Sequence, residues 1–136
     1  MVCVYCAGKT KVINSRHQLR NNQIWRRRQC LQCRTIFTSH EAADLTSTLQ
    51  VEVRGLPQPF LADLLFTEIL LALQDRKDCY TASREVTATV IRNLLKLPQK
   101  PLFKPSDISR TSAEVLKRFN RRAWLRYVAE HPSLQI

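Results

Sequence analysis

Hydrophobic and polar positions divide the chain into a β-patterned head and a helical remainder. Residues 1–40 contain few aliphatic residues. Within them, Lys11–Arg16 and Ile24–Gln29 are predicted to form the strands of a hairpin. Asn21–Asn22 predicts the turn between them, because asparagine tolerates left-handed backbone. A third short strand is predicted over Thr35–Ser39.

The pattern changes after a polar connector at residues 41–48. Gln50–Val53 and Pro57–Phe60 are predicted as two short extended segments around Gly55. A four-residue apolar period then begins, which predicts an amphipathic helix. The positions that carry this period are Leu61, Leu65, Ile69 and Leu73, with Leu64 and Ala72 alongside.

Three further helices are predicted over Ser83–Leu95, from Ser106 to about Phe119, and over Arg121–Glu130. Thr111 and Glu114 are candidates for a capping box in the second of these helices, and an earlier start of that helix is the alternative. The fold class expected is a small β module followed by an α+β, mostly helical domain. The expected domain bounds are residues 1–43 and residues 49–131.

Charge is concentrated in the head. Residues 1–40 contain eight Lys and Arg and no Asp or Glu, whereas residues 41–136 contain fourteen Lys and Arg against eleven Asp and Glu. A basic patch confined to one module is typical of a domain that binds a polyanion.

Two Cys-x-x-Cys pairs lie in the same head. Cys3 and Cys6 form the first pair, and Cys30 and Cys33 form the second. This spacing lets both sulfurs of a pair reach one tetrahedral ion, so the two pairs predict a structural zinc site with a closed shell. The alternative is a redox pair or four core cysteines. Cys79 stands alone, which favours a buried small side chain over a metal ligand.

Arg26, Arg27 and Arg28 come directly before the second pair of cysteines. On a strand, Arg26 and Arg28 share one face, and Arg27 shares the other face with Trp25. Arg16 is expected across the hairpin with Lys11 further along. Guanidinium groups suit phosphates and guanine edges, so Lys11, Arg16 and Arg26–Arg28 are candidate nucleic-acid contacts. A solvated charged strand is the alternative.

The sequence resembles a known family, the bacterial transcriptional repressors of ribonucleotide reductase genes. Lys11–Arg16 reads KVINSR, where the family has KVxDSR, and Arg26–Cys33 reads RRRQCLQC, where it has RRRECxxC. Phe37–Glu41 is similar to the family's FTTxE. Leu116–Lys117 and Ala123–Tyr127 follow the spacing of its LKxLDxxAYVRF.

That resemblance implies a zinc ribbon that binds operator DNA, joined to an ATP-cone that senses ATP and dATP and forms a homo-oligomer. The cone departs from the family at four positions where the family has cations. These positions are occupied by Glu52, Val53, Pro57 and Leu64. A triphosphate needs cations to offset its desolvation, so we expect binding of ATP and dATP in the family's manner to be lost or very weak.

Arg54 is a nearby cation that can restore nucleotide binding. The alternative to lost binding is a divergent cone that takes its cations from elsewhere, such as Arg92 or Lys96. No signal peptide or membrane span is visible, so a cytoplasmic location is expected.

The function expected is a DNA-binding regulator. The alternative is a repurposed ribbon in an RNA, ribosome or polymerase assembly, with the cone as a protein-binding scaffold. Residues 117–122 keep this alternative open, because they add a second cationic stretch where the family has acids. An enzyme is not expected, because the sequence has no coherent nucleophile–base pair, open metal shell or phosphate loop.

Overall fold

A computed structural model describes residues 1–134 of the chain. The chain divides into two compact units, Met1–Ala43 and a second unit that begins at Asp44. The first is a β-rich ribbon and the second is mostly helical, which confirms the predicted fold class. Across residues 1–134, no helix combines the length and apolar character that crossing a bilayer requires.

The N-terminal unit is a three-stranded antiparallel sheet in the order β1-β2-β3. Its strands are β1 (Thr10–Gln18), β2 (Gln23–Cys30) and β3 (Ile36–Ala42). Asn22 adopts a φ of 49° in the turn between β1 and β2, as expected of asparagine at such a turn. All three strands are longer than predicted, since pairing continues into flanking residues that carry no apolar pattern.

This unit has almost no hydrophobic core. Among residues 1–43 the buried positions are Cys3, Gly8 and Cys30. Apolar side chains such as Leu19 and Leu31 are exposed. Burial of apolar surface therefore contributes little to its stability, and another interaction must hold the sheet.

The C-terminal unit packs helices against a small mixed sheet in the order β5-β4-β6, in which β4 is antiparallel to β5 and parallel to β6. Its strands are β4 (Gln50–Val53), β5 (Leu56–Pro59) and β6 (Leu102–Phe103). Its helices are α1 (Leu45–Thr48), α2 (Ala62–Ala72), α3 (Cys79–Leu94), α4 (Pro105–Phe119) and α5 (Arg121–Glu130). A 3-10 turn at Pro132–Leu134 follows α5.

The β4–β5 hairpin turns through two residues. Val53 pairs with Leu56, so Arg54 and Gly55 form the loop, with φ of 53° and 78° respectively. Two consecutive positive φ values define a type I′ turn, which matches the twist of the strands that it joins. Arg54 is thus held at the tip of the hairpin.

A conventional hydrophobic core holds the C-terminal unit. The apolar period of α2 is only partly used in it, because Leu65, Ile69 and Leu73 are buried whereas Leu61 and Leu64 are exposed. The core also takes side chains from α3, α4, α5 and β6 and from residues between elements, including Leu49, Phe60, Val86, Val90, Leu94, Phe103, Leu116, Ala123 and Tyr127.

Several sequence predictions need correction. The connector contains α1, which Asp44 caps by accepting from the Thr46 N–H at 3.0 Å. Helix α3 begins at Cys79, four residues before the predicted start. The capping box at Thr111 was wrong, because the Thr111 hydroxyl donates within α4 to the carbonyl oxygen of Asp107 at 2.7 Å. The Asp107 carboxylate instead accepts from the Lys104 N–H at the start of that helix.

Candidate metal centre and basic surface

The four paired cysteines meet at one end of the N-terminal sheet. Their four Sγ atoms all lie within 4.8 Å of one another, and they belong to Cys3, Cys6, Cys30 and Cys33. The Sγ atoms of Cys3 and Cys33 are 3.7 Å apart, and those of Cys6 and Cys30 are 3.5 Å apart. A tetrahedral zinc with Zn–S bonds of about 2.3 Å requires sulfurs about 3.8 Å apart, so the cluster fits that ion.

The two Cys-x-x-Cys segments, Cys3–Cys6 (the first knuckle) and Cys30–Cys33 (the second knuckle), have matching backbone geometry. Ala7 and Arg34, each directly after the second cysteine of its pair, have φ of 58° and 62°. The N–H of Tyr5 lies 3.5 Å from Cys3 Sγ, and the N–H of Gln32 lies 3.4 Å from Cys30 Sγ. In both knuckles, a backbone N–H two residues further along the chain thus points toward the sulfur of the first cysteine.

Hydrogen bonding also prepares the thiols for a cation. The Thr35 hydroxyl lies 3.3 Å from Cys33 Sγ. The hydrogen bond between them makes the largest of the contributions that lower the pKa of Cys33 to about 6. Burial raises the pKa of Cys30. Hydrogen bonds outweigh this effect and bring the pKa below its ordinary value; they come from the N–H groups of Cys33 and Gln32 and from the thiol of Cys6.

Cys6 behaves in the opposite way. The Gly8 N–H lowers its pKa, but contacts with the Cys30 and Cys33 sulfurs raise the pKa to about 11. A second thiolate beside the first is costly unless a cation neutralises both, and a bound dication deprotonates such thiols. The shell is closed, since all four positions of a tetrahedral ion are filled by protein sulfurs. Zinc there would supply cross-linking and would leave no position for a reacting water.

Gly8 has a packing role in the centre. A Cβ at this position would lie 2.3 Å from Oε1 of Gln32, whose side chain also reaches to 3.9 Å from Cys6 Sγ. The absence of a side chain at residue 8 therefore lets Gln32 cover the first knuckle. Sequence reasoning missed both residues, because neither belongs to the pattern of ligands.

The candidate nucleic-acid residues lie on two faces of the sheet. In the β1–β2 register, Arg16 is opposite Trp25 and Lys11 is opposite Gln29, which places Lys11, Arg16 and Arg27 on the Trp25 face. The guanidinium carbon of Arg16 lies 5.8 Å from the centre of the Trp25 ring. Stacking of this kind leaves the N–H edges of the guanidinium available to a ligand.

Arg26 and Arg28 are on the opposite face, and both are half-buried. Arg26 Nη2 is 2.7 Å from Glu41 Oε2, and Arg28 Nε donates to Ser39 Oγ at 2.8 Å. Arg27, by contrast, is exposed. The structure therefore does not gather the three consecutive arginines into one surface, since the strand alternates them between faces.

Comparison with known families gives the same class as the geometry. The four-cysteine centre and the three-stranded sheet define the N-terminal unit as a zinc ribbon. Residues 1–41 match the family described as the transcriptional repressor NrdR-like, N-terminal domain. Residues 1–41 thus form an NrdR-like zinc ribbon, which confirms the resemblance for this part of the chain.

The four positions where the family's cone has cations fall on β4, β5 and α2. Glu52 is half-buried on β4, directly opposite Pro57 on β5. Val53 and Leu64 line a cavity of about 450 Å³. Cys79, outside the metal cluster, is half-buried at the first residue of α3.

We expect metal removal to unfold the N-terminal unit and spare the C-terminal one. The free energy of zinc binding is about 10–16 kcal/mol in small zinc modules, and here no hydrophobic core replaces it. Stripping the metal with a chelator should collapse the dispersed amide NMR signals of residues 1–43 while leaving those of α2–α5 in place.

A pair of variants provides the matched control for this result. Cys30→Ser should reproduce the collapse and lower the zinc content, whereas Cys79→Ser should retain zinc and both sets of signals. Persistence of the ribbon signals after complete removal of metal would contradict the assignment of the centre.

Proposed function

We propose that the protein is a cytoplasmic transcriptional regulator that binds DNA through its NrdR-like zinc ribbon, and not an enzyme. The observation that carries this proposal is the exposed, acid-free face formed by Lys11, Arg16 and Arg27 around Trp25. Zinc has a structural role, because it fixes the hairpin that presents these side chains.

We assign the main DNA contact to the Trp25 face for an electrostatic reason. On the opposite face, Arg26 is already paired with Glu41 and Arg28 is bonded to Ser39. The Arg27 pairing partners across the strands are Asn14 and Thr38, which are polar and uncharged. A phosphate that approaches Arg27 therefore meets no carboxylate to displace.

A second candidate function is attachment to RNA within a ribosome or polymerase assembly, with the helical unit as a scaffold. The cationic stretch at residues 117–122 favours it, since Arg118, Arg121 and Arg122 are exposed. Binding to a panel of duplexes and to structured RNA at raised salt separates the two. A repressor retains preference for particular duplexes, whereas loss of all duplexes with retention of RNA favours the assembly protein.

Substitution of Arg27 should weaken DNA binding more than substitution of Arg28. Arg27→Ala removes an exposed cation, so the slope of log K against log salt should fall by about 1. Arg28→Ala should have a smaller effect, because Ser39 already occupies its Nε donor. Fluorescence anisotropy across a salt series measures both.

Lys77→Ala serves as the charge-matched control, because Lys77 is an exposed cation in the C-terminal unit. It should leave affinity and slope unchanged. Zinc content should be equal in all variants, so that a change reports contact and not folding. A larger loss for Arg28→Ala than for Arg27→Ala would overturn the choice of face.

We further propose that sensing of ATP and dATP is lost. Two of the positions where the family has cations, Val53 and Leu64, are apolar and lie on the wall of the cavity. The described residues of that wall include no Lys or Arg, so Arg54, Arg92 and Lys96 do not supply a cation there. The wall instead carries Glu68, whose charge repels a triphosphate.

Equilibrium dialysis with labelled ATP and dATP tests this loss. The natural sequence should show no saturable binding in the micromolar range. Leu64→Lys should raise nucleotide affinity about tenfold, because it adds a cation to the wall, while Leu71→Lys on the same helix should not. Micromolar binding by the unaltered chain would contradict the proposal.

The resemblance also leads us to propose that the helical unit forms a homo-oligomer. Mass measured in solution over a range of concentrations tests this. A chain that stays monomeric throughout would contradict an assembly of the family's type.

A further inference from the structure

The C-terminal unit contains a cavity that the proposed DNA-binding function does not use. It opens between the β4–β5 hairpin, α2, the start of α4 and His131, and its volume is about 450 Å³. Cavities of about 300–1,000 Å³ with apolar walls and a few polar groups are typical of small-molecule sites. Its size therefore suits one compact organic ligand.

The walls of the cavity are apolar side chains that the core leaves uncovered. Leu61 and Leu64 belong to the apolar period of α2, yet they are 53% and 58% exposed, and Val53 on β4 is 42% exposed. The same wall continues inward to the buried Phe60 and Leu65. A ligand with an apolar body removes these side chains from water, which is favourable.

The polar groups of the cavity set the charge of its ligand. Glu68 is half-buried on α2 and lines the cavity together with Ser109 and His131. His131 Nδ1 lies 2.8 Å from the carbonyl oxygen of Tyr127, and because a carbonyl only accepts, Nδ1 carries the proton. Glu68 therefore supplies the carboxylate among the polar side chains that line the cavity.

No Lys or Arg is among the described residues that line this cavity, although the chain as a whole carries a formal charge of +11. An anionic ligand therefore meets the Glu68 carboxylate and neither Lys nor Arg to neutralise its charge. A ligand with an ammonium group meets a carboxylate partner at Glu68 and apolar walls around it. Charge complementarity thus selects the ammonium ligand over an anion of equal size.

We propose that this cavity binds a small organic cation, an ammonium group carried on an apolar body, with the ammonium at Glu68 and the body against Val53, Leu61 and Leu64. The site is independent of the ribbon and of DNA binding. Failure of either function leaves the test of the other intact.

Three probes with the same eight-carbon chain and different head groups test the proposal: octyltrimethylammonium, 1-octanol and octyl sulfate. Each is titrated below its micelle-forming range into the ¹⁵N-labelled, zinc-loaded full chain. The ammonium probe should bind saturably and at least about tenfold more tightly than the sulfate. The amides that shift should be those of the β4–β5 hairpin, α2 and the start of α4.

Two variants assign the roles within the site. Glu68→Gln should lower affinity for the ammonium probe about tenfold and leave the octanol affinity nearly unchanged. Leu64→Lys should abolish ammonium binding and improve sulfate binding. Leu71→Lys is the matched control, since Leu71 is 50% exposed on the same helix but does not line the cavity, and it should change none of the three affinities.

The proposal is overturned if the ammonium probe shows no saturable binding, or if octyl sulfate binds as tightly. It is also overturned if Glu68→Gln leaves the affinity for the ammonium probe unchanged, or if the shifted amides lie away from the cavity.

Discussion

The closure of four cysteine sulfurs around one metal ion is the constraint on which the N-terminal unit depends. Residues 1–43 bury two cysteines and one glycine, so no hydrophobic core competes with the metal as the source of order. Eight like charges in the first 40 residues oppose compaction of this unit. A metal cross-link between the first knuckle and the end of β2 is strong enough to overcome that repulsion.

Strand geometry then decides how the charge is used. Alternation along β2 separates Arg27 from Arg26 and Arg28, and β3 supplies Glu41 and Ser39 to the face that carries the latter two. The other face keeps its cations without a nearby carboxylate. A basic segment that is continuous in the sequence thus becomes two surfaces of different chemistry, of which one is suited to phosphate.

The sequence was sufficient for features with a local cause. The paired cysteine spacing predicted the metal cluster, and the four-residue apolar period of α2 predicted that helix. It was insufficient where distant residues decide the outcome. Strand β6 has only two residues and exists because it pairs with β4. The exposure of Leu61 and Leu64 was equally hidden, since a four-residue period does not show whether the opposing surface is a core or a cavity.

We propose that zinc acts on DNA binding through the hairpin that it holds. Zinc is titrated into the metal-free full chain, and duplex binding is recorded by anisotropy and helix content by circular dichroism. Duplex affinity should rise in proportion to zinc occupancy and saturate at one zinc per chain, while the helical signal stays constant. Full-affinity DNA binding by the metal-free chain would contradict it.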